Sequence, residues 1–184
     1  ATIISTEAKR LSHQVERVLQ MAQGNKGEIQ LSKSLFVWQT LIKETLSSFD
    51  QAIALKSATI NLDLPTAPIS YFGDQLHLRN CISNLIDNAL KYTETDPVIT
   101  ISIGISQQLR IAVEDNGIGI NKNDQKLLFK KFYRVNTGNI HNVKGFGLGL
   151  SYVRLIINAH NGRIECESDL GKGTKFVIYL PITN

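Results

Sequence analysis

DQLHLRNCISNLIDNALKYT, residues 74–93, carries two faces that a routine surface helix does not combine. At about 100° per residue, Leu78, Ile82, Leu85, Ile86, Ala89 and Tyr92 fall on one broad apolar stripe. Asp74 stands ahead of the first apolar position, where an N-cap is wanted. Asn80, Asn84, Asn88 and Lys91 line up on the opposite side. Asparagine is a mediocre helix former, and Glu, Lys or Gln would serve a merely solvated face better. Amide oxygens that end in an ammonium group suit a metal ion bridging phosphates: oxygen for the hard cation, ammonium for the anion. Taken alone, the same face also reads as solvent-exposed and simply rich in Asn.

Three glycine motifs follow it. Asp115-Asn116-Gly117-Ile118-Gly119 comes after a strand ending in Val113-Glu114. A carboxylate at a strand end can accept a hydrogen bond from an exocyclic amine, and two glycines let the backbone approach a flat base; a simple Asn-Gly turn explains the residues equally well. Gly145-Phe146-Gly147-Leu148-Gly149-Leu150 runs directly into a helix. Alternating glycines before a helix start expose amide N–H groups and the positive end of the dipole, an anion site. The run is neither GxxxxGK[ST] nor GxGxxG, and glycines packed for close helix–sheet approach are the plainer reading. Gly171-Lys172-Gly173-Thr174 sits at a hairpin, where a tight turn accounts for it.

Around these motifs the expected elements alternate. A short strand from Ile29 to Trp38 enters a helix to about Leu55, and Thr59 to Leu64 is strand-like up to Pro65. Ile69 to Phe72 is extended, and the helix beginning at Asp74 runs to Thr93. Val98–Ile105 and Leu109–Glu114 flank a Ser106-Gln107-Gln108 turn. The polar stretch from Asn116 to Phe146 has room for one short helix near Asp124–Phe132, and loops that long inside a domain are usually functional or mobile. Leu148–His160 is helical, and Arg163–Ser168 with Thr174–Leu180 form a closing hairpin. This order predicts an α+β fold, a two-layer sandwich of helices on one face of a mixed β-sheet. Ahead of it, Ile4, Ala8, Leu11, Val15, Val18, Leu19 and Ala22 make residues 1–22 an amphipathic helix that needs a partner helix. Residues 23–28 are a linker, and the domain proper spans 29–184.

Composition narrows the classes. With 42% hydrophobic and 20% charged residues, the 184-residue chain is globular rather than disordered. The net charge of +4 invites nucleic acid, but Lys56, Arg79, Lys91, Arg110 and Arg163 are scattered. The nearest cluster, Lys126, Lys130, Lys131 and Arg134, is small for tracking a phosphate backbone. A site for one polyanionic small molecule explains the excess better, so no nucleic-acid partner is expected. No apolar run approaches the roughly 18 residues of a membrane span, and residue 1 opens no signal peptide. Cys81 and Cys166 lack metal-like spacing and are expected as free, buried thiols.

Together and in this order, the motifs resemble the catalytic ATP-binding domain of sensor histidine kinases, within the wider family of gyrase, Hsp90 and MutL. Residues Asn84 to Tyr92 are similar to the N box, Asp115–Gly119 to the G1 box, and Leu128-Phe129 through Phe132 and Arg134 to the F box. Gly145–Leu150 resembles G2 and Gly171–Thr174 the third glycine motif; the resemblance covers roughly residues 29–184. It implies a Bergerat-type ATP-binding fold, with ATP and Mg²⁺ as cofactors. Asn88 with Asn84 would hold Mg²⁺, Lys91 would reach phosphate and Tyr92 would flank the nucleotide. Asp115 would take the adenine amine, supported through water by Thr174, with Gly117 and Gly119 beside the base. Gly145, Gly147 and Gly149 would give the lid hinge and phosphate-facing amides, with Lys144, Phe146, Leu148 and Leu150 also among the ATP-binding residues. Arg134 would face the γ-phosphate, which makes Asn84, Lys91 and Arg134 the residues implied for catalysis. Residues 121–146 would be the ATP lid, with Phe129 and Phe132 anchoring or releasing it. Phe146 departs from the small polar residue common there.

The resemblance also implies partners. Residues 1–22 are similar to the second helix of the dimerisation and phosphotransfer stalk, through Glu7-Ala8-Lys9-Arg10-Leu11. The domain would work on its own stalk in a homodimer and feed a response-regulator receiver domain. It would be cytoplasmic, in a parent anchored in the bacterial cell membrane. His13 only imitates the acceptor motif: Gln14 replaces the acidic residue and Val15–Val18 carries no proline. The acceptor histidine is therefore expected outside this chain. His77, His141 and His160 show no ligand spacing and read as ordinary polar residues. ATP-hydrolysing relatives carry a glutamate where Asn84 stands, and asparagine cannot serve as a base, so slow hydrolysis is expected. A hydrolase or serine-directed kinase of the same superfamily, or a non-catalytic ATP-binding module, are the alternatives.

Overall fold

Period-2 alternation sets the central sheet. In the computed structural model, which describes residues 29–135 and 146–182, five strands carry it: β2 (Thr59–Asp63), β4 (Val98–Ile105), β5 (Gln108–Asp115), β6 (Arg163–Asp169) and β7 (Gly173–Pro181). Their order is β2-β4-β5-β7-β6; β2 and β4 are parallel and every other pair antiparallel, so the sheet is mixed. Register lays the inward residues in rows. Ile103, Ile111, Ile178 and Ile164 form one, and Ile101, Val113, Phe176 and Cys166 the next. A third row begins at Ile99 and turns polar: Asp115, Thr174, Ser168. Each buried branched side chain contributes about 1.5–3 kcal/mol. Exposed ion pairs such as Arg163–Glu165 contribute about 1 kcal/mol at most. The apolar rows, not the outer charges, therefore fix the register.

Three helices cover the inner face: α1 (Trp38–Ser47), α3 (Gln75–Lys91) and α5 (Gly149–Ala159), with α3 packed between the other two. The short α2 (Asp50–Leu55) and α4 (Lys122–Gln125) complete the set of described helices, and β1 (Ser34–Val37) pairs antiparallel with β3 (Ser70–Gly73) in a small second sheet. The α+β sandwich read from the sequence is thus the architecture found. Leu78, Ile82, Leu85, Ile86 and Ala89 are buried as the helical spacing requires, joined by Cys81 and Leu90. Asp74 is the N-cap of α3, its Oδ1 accepting the backbone N–H of His77 at 3.0 Å. Phe36, Trp38 and Tyr71 pack ring against ring at 5.3–6.1 Å under α1. Cys81 and Cys166 are free thiols, the first buried and the second half-buried, with burial pushing the Cys166 thiol up to about 12.

Some boundaries differ from the sequence reading, for local reasons. The helix expected to reach Leu55 breaks after Ser47, where Ser47 and Ser48 turn their hydroxyls onto the Lys43 and Thr45 carbonyls. Such back-bonding competes with the helix ladder. Strand β1 covers only Ser34–Val37 of the extended piece expected from Ile29. The lid-side helix starts earlier, because Asn121 caps it by accepting from the backbone N–H groups of Asn123 and Asp124, and it ends at Gln125. The chain divides into units Ala1–Gln30 and Leu31–Asn184. The expected stalk helix over 1–22, His13 within it and the linker over 23–28 lie outside the described residues.

Lys56, which the sequence shows only as a scattered cation, has a definite task. Its ammonium donates to the Leu90 carbonyl and, at 3.0 Å, to that of Thr93, at the C-terminal end of α3. Those carbonyls would otherwise be orphans at the negative end of the helix dipole. Lys56→Met keeps the apolar stem and removes the ammonium. The variant is expected to lose about 1 kcal/mol, read as a drop of a few degrees in Tm by thermal unfolding; an unchanged Tm would show that water caps the helix as well.

Candidate nucleotide site

The polar ends of the third inward row make the base of the site. Asp115 closes β5 directly opposite Thr174 of β7. Its Oδ1 accepts two backbone N–H groups, from Gly117 at 2.9 Å and from Thr174 at 3.1 Å. Among the described residues both hydrogen bonds fall on Oδ1 and none on Oδ2, so that oxygen keeps its acceptor capacity. Burial pushes the Asp115 carboxyl above its ordinary range, while the Gly117 and Thr174 amides pull it back and neighbouring Glu114 adds a small push. Thr174 thus reaches Asp115 directly, through its backbone N–H. Its hydroxyl lies 3.0 Å from Ser168 Oγ, which also donates to the Gly173 carbonyl at 2.7 Å and accepts the Ile120 N–H at 2.8 Å.

The glycines are required by close approach. A Cβ on Gly117 would stand 2.5 Å from the Tyr92 carbonyl and 2.8 Å from Asp115 Oδ1, in front of the carboxylate. Gly119, at φ +68°, would put one 1.9 Å from the Asp169 carbonyl oxygen. Ile118 ties the loop down at both sides, its N–H donating to Tyr92 at 3.0 Å and its carbonyl accepting from Gly171 at 2.8 Å.

On α3 the asparagine face is less open than its spacing implies. Asn84 is only 4% exposed, because the start of α5 lies over it; its Oδ1 is 3.0 Å from where a Gly149 Cβ would be. Its amide Nδ2 donates to the Asn80 carbonyl at 2.9 Å, which turns the oxygen outward toward α5. Asn80 and Asn88 are half-buried, and Lys91 is exposed with its ammonium on the Asp87 carboxylate one turn back. The amide oxygens of Asn84 and Asn88 are hard, neutral donors of the kind Mg²⁺ accepts beside phosphate. Among the described residues no three His, Cys, Asp or Glu side chains converge as a metal site. The donor set therefore fits a cation shared with phosphate oxygens rather than a protein-only cage. Tyr92 is half-buried; burial raises its phenol, the Arg134 charge lowers it and Asp87 raises it.

The phosphate side joins the F box to the glycine run. The Phe132 N–H donates to the Gly147 carbonyl at 3.1 Å, and Gly147, at φ +70°, lies so close that a Cβ would meet Phe132 and Tyr133 backbone atoms at 2.8 Å. Phe129 is the anchored aromatic, edge-on to Phe176 at 6.5 Å with the Arg154 guanidinium 5.6 Å from its ring. Phe132 is 72% exposed and in left-handed backbone, and Phe146 is 70% exposed, so neither side chain anchors anything within the described residues. Leu148 is the N-cap of α5, with Gly149 and Leu150 its first residues, all three half-buried. Lys144 and Gly145 lie outside the described residues. Sequence reasoning missed Ser168, Lys56 and Thr93, whose hydroxyl sits against Gly117. Ser168 was within reach, since it continues the inward alternation of Ile164 and Cys166.

A mixed sheet under three helices, with an acid at the end of a central strand and glycine loops on both sides, defines an ATP-binding α+β sandwich of the Bergerat type. Residues 73–184 match the family model described as histidine kinase-, DNA gyrase B-, and HSP90-like ATPase, and the chain belongs to that family. It is 41% identical over 183 residues to the sensor protein RprX of Bacteroides fragilis, an alignment covering 98% of this chain and 35% of that protein. It is 30% identical over 180 residues to the sensor histidine kinase RppB of Synechocystis, covering 97% of this chain and 40% of the other. Among solved structures, the Acinetobacter baumannii histidine kinase AdeS superimposes with a TM-score of 0.78 at 26% identity, over 100% of this chain and 84% of that one. The resemblance drawn from the motifs stands. The chain spans less than half the length of these curated relatives.

The raised carboxyl has a consequence for stability. A group that binds its proton more tightly when folded makes ionisation weaken the fold as pH climbs from the unfolded to the folded pKa, and the loss persists at neutral pH. Asp115→Asn keeps the Oδ1 acceptor for Gly117 and Thr174 and removes the half-buried charge. Without nucleotide, this variant is expected to melt at or above the wild-type Tm at pH 7, with the difference shrinking toward pH 4. A clearly lower Tm at pH 7 would contradict the reading of the burial as costly.

Proposed function

We propose that this chain is the ATP-binding catalytic domain of a sensor histidine kinase. It binds Mg-ATP and transfers the γ-phosphoryl group to a histidine on the dimerisation and phosphotransfer stalk, for relay to a response-regulator aspartate. The parent is a homodimer anchored in the bacterial cell membrane; among the described residues no helix is long and apolar enough to cross one. The observation that carries the reading is the Asp115 carboxylate, held at Oδ1 by two amides and keeping Oδ2 for an exocyclic amine, beside a glycine that leaves room for a flat base.

The geometry supports the following division of labour. Asp115 accepts from the adenine amine, Gly117 lets the ring lie against the loop, and Tyr92 flanks it. Asn84 and Asn88 would hold Mg²⁺ by their amide oxygens, and when bound the ion would neutralise phosphate charge and fix the triphosphate in line. Lys91 exchanges Asp87 for phosphate, an inexpensive trade because their pairing is exposed. Arg134, whose charge is felt at the Tyr92 phenol, would face the γ-phosphate. The amides of Gly147 and Gly149 at the start of α5 receive the remaining charge. Phosphoryl transfer depends on positioning and charge neutralisation more than on acid–base chemistry. An amide at position 84 supplies no base for water, so ATP waits for an incoming imidazole.

Two measurements test this. With γ-³²P-ATP and a separately made stalk carrying its histidine, label is expected on the stalk while the chain alone releases phosphate slowly. Rapid phosphate release by the chain alone would make it a hydrolase instead. In parallel, Asp115→Asn replaces an acceptor oxygen by a donor and should weaken Mg-ATP binding about 30-fold by calorimetric titration, the scale of losing a charge-assisted hydrogen bond. Unchanged affinity in a folded variant would remove the base pocket from the argument.

A further inference from the structure

Helices α3 and α5 run antiparallel, so each has one end at the nucleotide site and one end away from it. At the site end Gly149 covers Asn84. At the far end stands a polar cluster that the proposed chemistry does not use. His160, the C-cap of α5, is 3% exposed; Asp74, the N-cap of α3, is 4% exposed. The backbone N–H of Asp74 donates to His160 Nε2 at 3.0 Å. His160 Nδ1 lies 2.8 Å from the Ile156 carbonyl, which can only accept, so the ring carries its proton on Nδ1 and is neutral. Asp74 in turn accepts from His77 N–H at Oδ1 and from Ser32 N–H at Oδ2, the latter at 2.8 Å. His77 Nδ1 and the Tyr152 hydroxyl, 2.9 Å apart, bridge the helices a second time.

We propose that His160 is a positioning residue for the nucleotide site: its neutral imidazole pins the end of the glycine-run helix to the start of the asparagine helix, and so sets the register in which Gly149 meets Asn84. The inference rests on the reading of that site as nucleotide-binding. The distance from cap to site along α3 is about 15 Å, ten residues of helix, which a packed rigid helix transmits. The end of α5 is itself fixed on the sheet. Asn161 takes left-handed backbone at φ 58°, and a Cβ on Gly162 would stand 2.4 Å from the Tyr179 carbonyl. Helix α5 therefore has a fixed end, and His160 passes that position to α3.

A proton on Nε2 would face the Asp74 N–H donor to donor and break the pin. Every charged neighbour acts on that step. Burial opposes the proton most, Lys33 and His77 oppose it, and the Ile156 carbonyl and the Asp74 carboxylate favour it. The net direction is a pKa below the ordinary 6.5. The pin is therefore complete above pH 6.5 and is lost as pH falls through the lowered folded value.

The test uses two variants. His160→Gln puts an acceptor where Nε2 lies and cannot be protonated; His160→Leu removes the acceptor. Titrating a magnesium-bound non-hydrolysable ATP analogue downward from pH 7.5 to the acid limit of the folded state, the wild type is expected to weaken progressively more than His160→Gln below pH 6.5. Asp115 is present in both, so its own titration cancels. His160→Leu should bind about fivefold more weakly at pH 7.5, while His160→Gln stays within about twofold of wild type. Hydrogen exchange without nucleotide should quicken in His160→Leu at the amides of Asn84, within α3, and of Tyr152, which donates to the Leu148 carbonyl in the first turn of α5. A His160→Leu protein that melts lower but keeps wild-type affinity and exchange at those amides would reduce His160 to a local cap and overturn the proposal; so would a wild-type pH profile in His160→Gln. If the wild type bound no nucleotide, the site reading would fall, and the exchange result alone would decide the helix register.

Discussion

Two backbones cross without side chains at the end of the central sheet, and the rest of the site depends on that approach. Gly119 lies against the Asp169 carbonyl and Gly173 against that of Asp115, each so near that a Cβ would be 1.9 Å from the oxygen. Contacts this short leave hydrogen as the only tolerable substituent, so glycine here is a matter of space as well as of backbone angle. The crossing stacks the loop after β5 on the β6–β7 hairpin. It also brings the Thr174 N–H within reach of Asp115 and orients the carboxylate. Without it, the third inward row would end in three polar side chains lacking defined partners, which a half-buried position does not tolerate cheaply.

The carboxylate is held against its own preference. Burial disfavours the charge, and the two amides on Oδ1 offset part of that cost while Oδ2 is kept in reserve. An arrangement that served stability alone would place an apolar or neutral residue here, extending the rows of Ile, Val and Phe that precede it. Stability is instead drawn from those rows and from the α3 stripe, where Ile82, Leu85 and Ile86 are essentially excluded from solvent. The site sits where the core runs out, and the core can support the strain because it is contiguous up to that edge.

How much of this was legible in the sequence depends on whether the deciding contact was local. The Asp74 cap, the α3 stripe and the β6–β7 hairpin are set by residues within a few positions of one another, and each was read correctly. The glycine motifs were legible as a set, because their order and spacing point to one resemblance, although singly each had a plainer reading, as a turn or as close helix–sheet packing. Contacts between distant segments were not legible. Lys56 capping Leu90 spans 34 positions and Asp74 on His160 spans 86. Nothing near either residue announces a partner. Asn84 looked solvated because helical periodicity knows nothing of α5 lying across it. The split at Ser47–Ser48 was local and still missed: hydroxyl back-bonding competes weakly with helix formation, and apolar spacing outvotes it in a sequence reading.

Among the described residues the two halves of the site are braced differently, and the proposed function makes use of that. On the base side, Asp115, Gly117, Gly119 and Thr174 are cross-braced by the backbone bonds of Ile118 to Tyr92 and Gly171, and by the Ser168 hydroxyl. Recognition of a flat, invariant base gains from such preorganisation, because little ordering is left to do on binding. On the phosphate side, the Phe132–Gly147 bond joins the F box to the glycine run, and Phe132 and Phe146 point outward. A triphosphate whose last group must meet a nucleophile from another helix cannot be enclosed as tightly as its base. Under the proposed function, a braced base pocket and a less enclosed phosphate side would let one domain grip the nucleotide and still yield its terminal phosphoryl group. A site braced equally at both ends would bind ATP and keep it.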